Sequence, residues 1–120
     1  MLELLKTICK DHNIHLNSHS GMGTIKGFAT LFPESGERVI AYNDELRGWA
    51  KIKTIAHEIA HHALGHLDGD TLCLGSTGHV SGEEPIQIME READIFAAAF
   101  TAMVMFMGYS DKNDREVNMA

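Results

Sequence analysis

Cysteine and proline are scarce in this sequence, and its N-terminal segment is not expected to be a secretory signal. The 120 residues include two cysteines and two prolines, and the N-terminal segment carries Glu3 where a signal peptide has a long apolar core. Two cysteines without such a signal predict no disulfide framework, so we expect a reducing compartment, the cytoplasm. The longest uncharged stretch, residues 95–110, is shorter than the ~20 residues that span a bilayer and predicts a buried helix instead.

Positive charge is also scarce. Ten Lys and Arg residues stand against 17 Asp and Glu residues, the formal net charge is -7, and the basic residues form no run. Recognition of a phosphate backbone needs clustered Lys and Arg, so we expect no direct binding to nucleic acid. A chain of this length supports one hydrophobic core, which predicts a single domain over residues 1–120, with a polar, frayed tail from about residue 108.

Hydrophobic periodicity in the first half predicts an α+β fold, with a small antiparallel sheet packed on helices. Apolar residues spaced three and four apart predict a helix that ends near Asp11. A short extended segment is expected at residues 14–16. Period-two alternation predicts strands over residues 24–32 and 38–42, and their short separation favours an antiparallel hairpin.

The second half is predicted to hold two longer helices. A wide apolar stripe predicts one helix that Gly48 begins or interrupts and Gly65 ends. Residues 68–82 are rich in Gly, Ser and Thr and predict a loop, long enough to be a flap. A last helix is expected from residues 84–85 to about 107. Its bulky apolar side chains are expected to pack against the preceding helix, and its methionines are interpreted as core filler.

The strongest chemical signal is an H-E-x-x-H motif in the first of these two helices. Helical residues four apart share one face, so the imidazoles of His57 and His61 can converge on a single ion. Neutral imidazole suits Zn²⁺, and a catalytic zinc takes three protein ligands and leaves a fourth position for water. Glu58 would lie beside that position, where it can accept a proton from the water. The alternative is a solvated helix, because a chain with eight histidines readily contains such a pair.

The third ligand is less evident. The metzincin pattern requires glycine at Leu64 and histidine at Leu67, so it does not apply. His62 and His66 point about a hundred degrees away from the motif face, which argues against either as a ligand. Cys73 is a free loop thiol by default, although it could cap the zinc as an inhibitory ligand.

A better candidate lies downstream, where a charged turn enters an apolar helix at residues 89–98. A carboxylate there is costly unless something binds it. We predict Glu92, in preference to Glu90, as the third metal ligand, and Asp94 as the hydrogen-bond acceptor for a ligand imidazole. The alternative is a solvated acidic turn near a helix start.

At this point the sequence resembles the ImmA/IrrE-like zinc metallopeptidases, which are bacterial and phage proteins usually associated with transcriptional repressors. The resemblance lies in residues 39–43 (VIAYN), 53–61 (KTIAHEIAH) and 92–97 (EADIFA). It implies a zincin-like fold in which a second ligand-bearing helix follows the active-site helix. It also implies a repressor or other regulator as the protein substrate. One departure is that residues 100–103 (FTAM) lack the proline with which the family often ends this block.

By that resemblance, the metal ligands would be His57, His61 and Glu92, and Glu58 would be the catalytic base. The function expected is hydrolysis of a protein substrate, with no membrane partner. The rival is a zinc-containing binding module or anti-repressor that sequesters its partner without cleavage, and an intact Glu58 favours the enzyme. His79 and Tyr42 are both open as the residue that stabilises the oxyanion.

Overall fold

A computed structural model describes residues 1–69, 72–76 and 84–108, which form three helices and one four-stranded sheet. The helices are α1 (Leu2–Asp11), α2 (Gly48–Ala63) and α3 (Glu84–Phe106), and the strands are β1 (Ile14–His19), β2 (Gly27–Phe32), β3 (Glu37–Asn43) and β4 (Cys73–Ser76). The predicted α+β class is confirmed. The predicted frayed tail beyond residue 108 lies outside the described residues.

The sheet has the order β1-β3-β2-β4. The predicted hairpin is confirmed, because β2 pairs antiparallel with β3 and Ala29 lies opposite Ile40. However, β1 runs parallel to β3, with Ile14 opposite Arg38, so the small sheet is mixed and not antiparallel at every pair of strands. Periodicity reveals that a segment is extended but not the direction of the strand that it joins.

The segment predicted to be a loop, residues 68–82, contains a strand. Cys73 lies opposite Thr30 and Leu74 lies opposite Ala29, so β4 extends the sheet beyond β2. Leu74 and Ala29 are buried together with Leu67 in a small apolar cluster. Four residues carry too little alternation to predict a strand, and pairing with β2 makes this segment extended.

The main core lies where α1 and α2 cover the sheet. Leu5 of α1, Ile40 of β3 and Ile55 of α2 are fully buried in one apolar cluster. α2 begins at Gly48, whose φ of 55° is unfavourable for other residues. It ends before Gly65, whose φ of 74° is typical of the residue that closes a helix, as predicted.

The buried face of α3 differs from the one predicted. Its buried residues are Glu90, Ala93, Ala97 and Val104, whereas Ile95 is 69% exposed and Phe106 is 93% exposed. Most of the methionines predicted to be core filler, Met103, Met105 and Met107, are also exposed. Small alanines let α3 lie close to α2, and bulkier residues such as Ile95 and Met103 lie on its exposed sides. Phe100 still packs against the main core, as predicted. Among the described residues, no helix has the length and apolar character needed to span a membrane.

The two cysteines are expected to differ sharply in reactivity. Burial raises the pKa of the Cys9 thiol to about 11, so almost no thiolate forms at pH 8, whereas Cys73 is exposed. We expect an alkylating reagent at pH 8 to modify one thiol per native chain rapidly, and both thiols after denaturation. Mass spectrometry of timed samples measures this. Equal rates for both thiols in the native protein would contradict the packing of α1.

Candidate active site

The motif side chains lie at the interface between α2 and α3. His57, Glu58 and His61 are all buried, and Glu58 and His61 are fully inaccessible to solvent. The Nε2 atoms of His57 and His61 are 3.1 Å apart. One nitrogen or oxygen from each of His57, Glu58 and His61 lies within 4.8 Å of the other two. The spacing on α2 therefore brings these three groups together, as the motif predicts.

Glu90 of α3 completes this cluster. Its Oε2 lies 2.9 Å from Nε2 of His57, and its Oε1 lies 3.0 Å from Nε2 of His61. The second contact is close but not aligned as a hydrogen bond, so Oε1 is buried without a hydrogen-bond partner among the described residues. The Glu90 residue is 8% exposed. Two imidazole nitrogens and one carboxylate thus converge on one point between the helices.

Asp94 lies one helical turn after Glu90 and contacts the other side of the same imidazole. Its Oδ1 is 2.7 Å from Nδ1 of His57. This is the contact between Asp94 and a motif histidine that the sequence predicts. If Nε2 of His57 binds a metal, Nδ1 carries the ring proton. This N–H then donates a hydrogen bond to Asp94, and the hydrogen bond orients the ring.

Glu92, the carboxylate favoured in the sequence analysis, occupies a different place. Its side chain is 55% exposed, and its Oε1 lies 3.0 Å from Nε2 of His66. Nδ1 of His66 in turn lies 2.9 Å from Nδ1 of His61. The imidazole of His66 therefore lies between Glu92 and His61. Glu90, in contrast, contacts the Nε2 atoms of both His57 and His61.

Helical geometry contains the signal that favours Glu90. Residues four apart, such as Glu90 and Asp94, share a face, whereas Glu92 lies about 200° around the helix from Glu90. Ala93 and Ala97, the alanines buried with Glu90, have the same periodicity. In the sequence alone, Glu92 is favoured because it fits the family block and directly precedes the apolar run. An imidazole contact by Asp94 favours position 90 instead, which lies one turn away on the same face.

The electrostatics of the site follow from burial. Burial raises the pKa of Glu58 to about 8, although the charge of His57 opposes the rise. Burial would also raise the pKa of Glu90, but its contacts with His57 and His61 outweigh that effect and lower it to about 2. For His61, burial is the main cause of a lowered pKa. Burial lowers the pKa of His57 too, but hydrogen bonding to Glu90 and the nearby carboxylates raise it overall.

These residues fit a divalent metal ion. Both oxygens of Glu58 and one oxygen of Glu90 are buried without a hydrogen-bond partner among the described residues, which is costly for a carboxylate. Tetrahedral zinc, with bonds of about 2.0–2.2 Å, holds its ligand atoms roughly 3.3–3.6 Å apart. The separations of 2.9–3.1 Å among the atoms of His57, His61 and Glu90 lie within a few tenths of an ångström of that range. A cation would also offset the cost of burying the two carboxylates.

Other candidates from the sequence lie elsewhere. His62 contacts the backbone oxygen of Val39 through Nε2 and the guanidinium of Arg38 through Nδ1, so both of its nitrogens are engaged away from the cluster. Tyr42 packs against the main core, and the Thr30 hydroxyl donates a hydrogen bond to Sγ of Cys73 on β4. His79 lies outside the described residues.

Gly27 of β2 lets the sheet approach α2 beside Glu58. A Cβ atom at this position would lie 2.8 Å from Cγ2 of Thr54, 3.0 Å from the backbone oxygen of Ala41 and 3.5 Å from Cγ of Glu58. We therefore expect Gly27→Ala to lower the free energy of unfolding by about 1–3 kcal/mol, as overpacking does. Chemical denaturation of the purified variant measures this change.

Gly75 of β4 provides the matched control. A Cβ atom there has no neighbour within 4 Å, so Gly75→Ala should leave the free energy of unfolding within about 1 kcal/mol of the wild-type value. Adding Thr54→Ser to Gly27→Ala removes the closest of the clashing atoms and should recover part of the loss. Equal losses for the two glycine variants would show that β2 and α2 are not closely packed at Gly27.

Comparison with known protein families matches residues 9–101 to Peptidase_M78, described as the IrrE N-terminal-like domain. The match includes all of α2 and the part of α3 that carries Glu90 and Asp94. Comparison with curated proteins gives no match. The match covers most of the chain and all of the buried histidine and carboxylate cluster. The chain therefore belongs to the IrrE N-terminal-like family of peptidases.

Proposed function

We propose that this protein is a zinc-dependent peptidase with His57, His61 and Glu90 as its metal ligands and Glu58 as its general base. The observation that carries the proposal is the position of the Glu90 carboxylate against both Nε2 atoms of the motif. It supplies the third ligand that two histidines need for a catalytic zinc site. Glu90 thus takes the role that the sequence pattern predicts for Glu92.

The chemistry proposed is hydrolysis of a peptide bond. Zinc bound here would supply Lewis acidity, polarising the scissile carbonyl and lowering the pKa of a water molecule to about 7. Glu58 accepts a proton from the attacking water as the oxygen bonds to the carbonyl carbon. When the C–N bond breaks, Glu58 delivers that proton to the leaving amine. Burial raises the pKa of Glu58 to about 8, and the charge of a bound cation would lower it, so that the carboxylate is ionised and can accept this proton. Its oxygens have no hydrogen-bond donor among the described residues that would compete for this role.

The remaining residues of the cluster hold the ligands. Asp94 accepts a hydrogen bond from Nδ1–H of His57, which leaves the lone pair of Nε2 facing Glu90 and His61. Burial at the interface of α2 and α3 excludes bulk water from this face. The low pKa of Glu90, about 2, keeps it ionised at neutral pH, as a metal ligand requires.

The substrate proposed is a protein, and more narrowly a DNA-binding repressor or similar regulator. The cleavage is proposed to take place in the cytoplasm. This narrower proposal depends on the resemblance described for the sequence. The competing proposal is a zinc-containing module that sequesters such a regulator without cleavage. Glu58 is buried and has no hydrogen-bond partner among the described residues, which favours the peptidase, since sequestration does not require a carboxylate at this position.

Two measurements on the purified full chain test the proposal. Elemental analysis is expected to find one zinc per chain, and His57→Ala is expected to abolish tight binding. The zinc-loaded protein is then added to a bacterial lysate, and new protein N-termini are identified by mass spectrometry with and without a chelator. A folded protein with no affinity for zinc would refute the metal site. Zinc binding without any chelator-sensitive new N-terminus would favour sequestration.

A further inference from the structure

We propose that His66 and Glu92 form a relay that orients the ligand His61 and fixes which of its nitrogens faces the metal. This inference depends on the proposed role of His61 as a zinc ligand. In it, Glu92 is not a ligand but the end of a hydrogen-bonded chain. Both residues are positioning residues, because they act on the metal only through His61.

The distances define a continuous chain of three groups. Nδ1 of His61 lies 2.9 Å from Nδ1 of His66, and Nε2 of His66 lies 3.0 Å from Oε1 of Glu92. The Nε2 atom of His61 faces His57 and Glu90, so it is the atom available to a metal. The Nδ1 atom of His61 therefore carries the ring proton, and this N–H donates a hydrogen bond to Nδ1 of His66.

This arrangement allows a single tautomer at each ring. Nδ1 of His66 accepts a hydrogen bond from Nδ1–H of His61, so Nδ1 of His66 carries no proton. The ring proton of a neutral His66 therefore lies on Nε2. Nε2 then donates to the carboxylate of Glu92, which can only accept. The His66 side chain is 7% exposed, so water has little access to compete for these contacts. Glu92 thus holds His66 in the tautomer that His61 needs.

The backbone fixes the position of His66 independently of its side chain. α2 closes with two hydrogen bonds, from the Gly65 N–H to the His62 oxygen and from the His66 N–H to the His61 oxygen. This is the Schellman pattern, which requires a left-handed residue at Gly65, where φ is 74°. His66 is thereby bonded to His61 through the main chain as well as through the imidazole.

The two motif histidines need different partners because of where they lie on α2. His57 lies far enough from the end of the helix for Asp94 of α3 to contact it directly. His61 lies in the last turn, and its Nδ1 contacts the chain just beyond the helix end. Partners of this kind raise ligand basicity, and their loss typically costs about 10–100-fold in metal affinity.

Substitutions at position 66 test the relay through metal binding rather than activity. Zinc affinity is measured by competition with a chelating dye, and the Co²⁺-substituted protein gives an absorption spectrum that reports ligand geometry. We expect His66→Ala to weaken zinc binding about 10–100-fold and to change the Co²⁺ spectrum. Asparagine can place an acceptor oxygen where Nδ1 lies, so His66→Asn should recover most of the affinity. His66→Gln, whose amide reaches the Nε2 position instead, should not.

Further variants separate the relay from general damage. Glu92→Ala leaves the helix closure intact and should weaken zinc binding less than His66→Ala does. Glu92→Gln keeps an acceptor oxygen but can also donate, so it selects the His66 tautomer less strictly and should bind zinc with an affinity between those of Glu92→Ala and the wild type. His15→Ala removes an exposed histidine of β1 and controls for loose zinc binding by imidazoles. A cooperative unfolding transition, measured for each metal-free variant, verifies that the variant is folded.

The outcomes distinguish failure of the relay from failure of the metal site. If wild-type protein binds zinc, His57→Ala does not, and His66→Ala equals the wild type, then the relay is refuted and the metal site stands. Equal recovery by His66→Asn and His66→Gln would also refute it, because packing would then explain the effect. If the wild type does not bind zinc, the proposed metal site is refuted, and the relay that depends on it is refuted as well.

Discussion

Replacing Glu90 by glutamine is expected to weaken zinc binding by about 10²-fold or more and to abolish peptidase activity at limiting zinc. The apparent binding free energy of four-ligand structural zinc sites is about 10–16 kcal/mol, so losing one charged ligand costs on the order of 3 kcal/mol. The amide has the same shape as the carboxylate, so the packing of α3 on α2 should survive. Competition with a chelating dye at fixed pH measures the affinity.

Glu92→Gln is the matched control for this experiment. It makes the same chemical change two residues away on the same helix, on a side chain that contacts His66 rather than the Nε2 atoms of the motif. Because Glu92 acts on the metal only through His66 and His61, we expect this variant to lose much less zinc affinity than Glu90→Gln does. The reverse result, with Glu92→Gln losing the metal and Glu90→Gln keeping it, would restore Glu92 as the third ligand. It would also place α3 about half a turn away from its orientation in the structure.

Replacing Glu58 by glutamine is expected to leave zinc affinity nearly unchanged while cleavage falls by about 10² to 10⁴-fold, the usual contribution of general acid and base catalysis. Glutamine keeps the shape of the side chain and can hydrogen-bond water, but it cannot accept the proton. Zinc affinity should change little, because Glu58 is not among the proposed ligands. The measurement is the rate at which new N-termini appear in the treated lysate, at matched zinc occupancy.

His57→Ala serves as the contrast, since it should lose both the metal and the activity. The pair therefore separates loss of the base from loss of the metal ion. If wild type and Glu58→Gln relieve repression by a bound regulator equally, and neither yields a cleavage product, the protein acts by sequestration. The peptidase mechanism would then be wrong even though the zinc site is intact.

Local patterns in the chain were sufficient to predict the motif helix. The apolar stripe, the glycine at each end and the spacing of His57 and His61 are properties of a single helix, so they need no knowledge of other elements. The same holds for the α1 helix and the β2-β3 hairpin, whose short connection favours antiparallel pairing. These elements lie close to their predicted bounds.

Features that depend on partners distant in sequence were harder to predict. The direction of β1 and the extended form of β4 follow from the strands that they meet, β3 and β2. The rotation of α3 about its axis was the most consequential of these. Bulky apolar residues occur on several sides of that helix, so hydrophobicity alone allowed more than one buried face.

The sequence by itself determined the family and the fold class of this protein, and it put two imidazoles and the Glu58 carboxylate on one buried helix. Only the tertiary structure decided which acidic residue faces them. The physical reason is close packing, because Ala93 and Ala97 are small enough to be buried against α2. Glu90 and Asp94 lie on the same side of α3 as these alanines, so both contact His57. Glu92, on the other side of α3, contacts His66 instead.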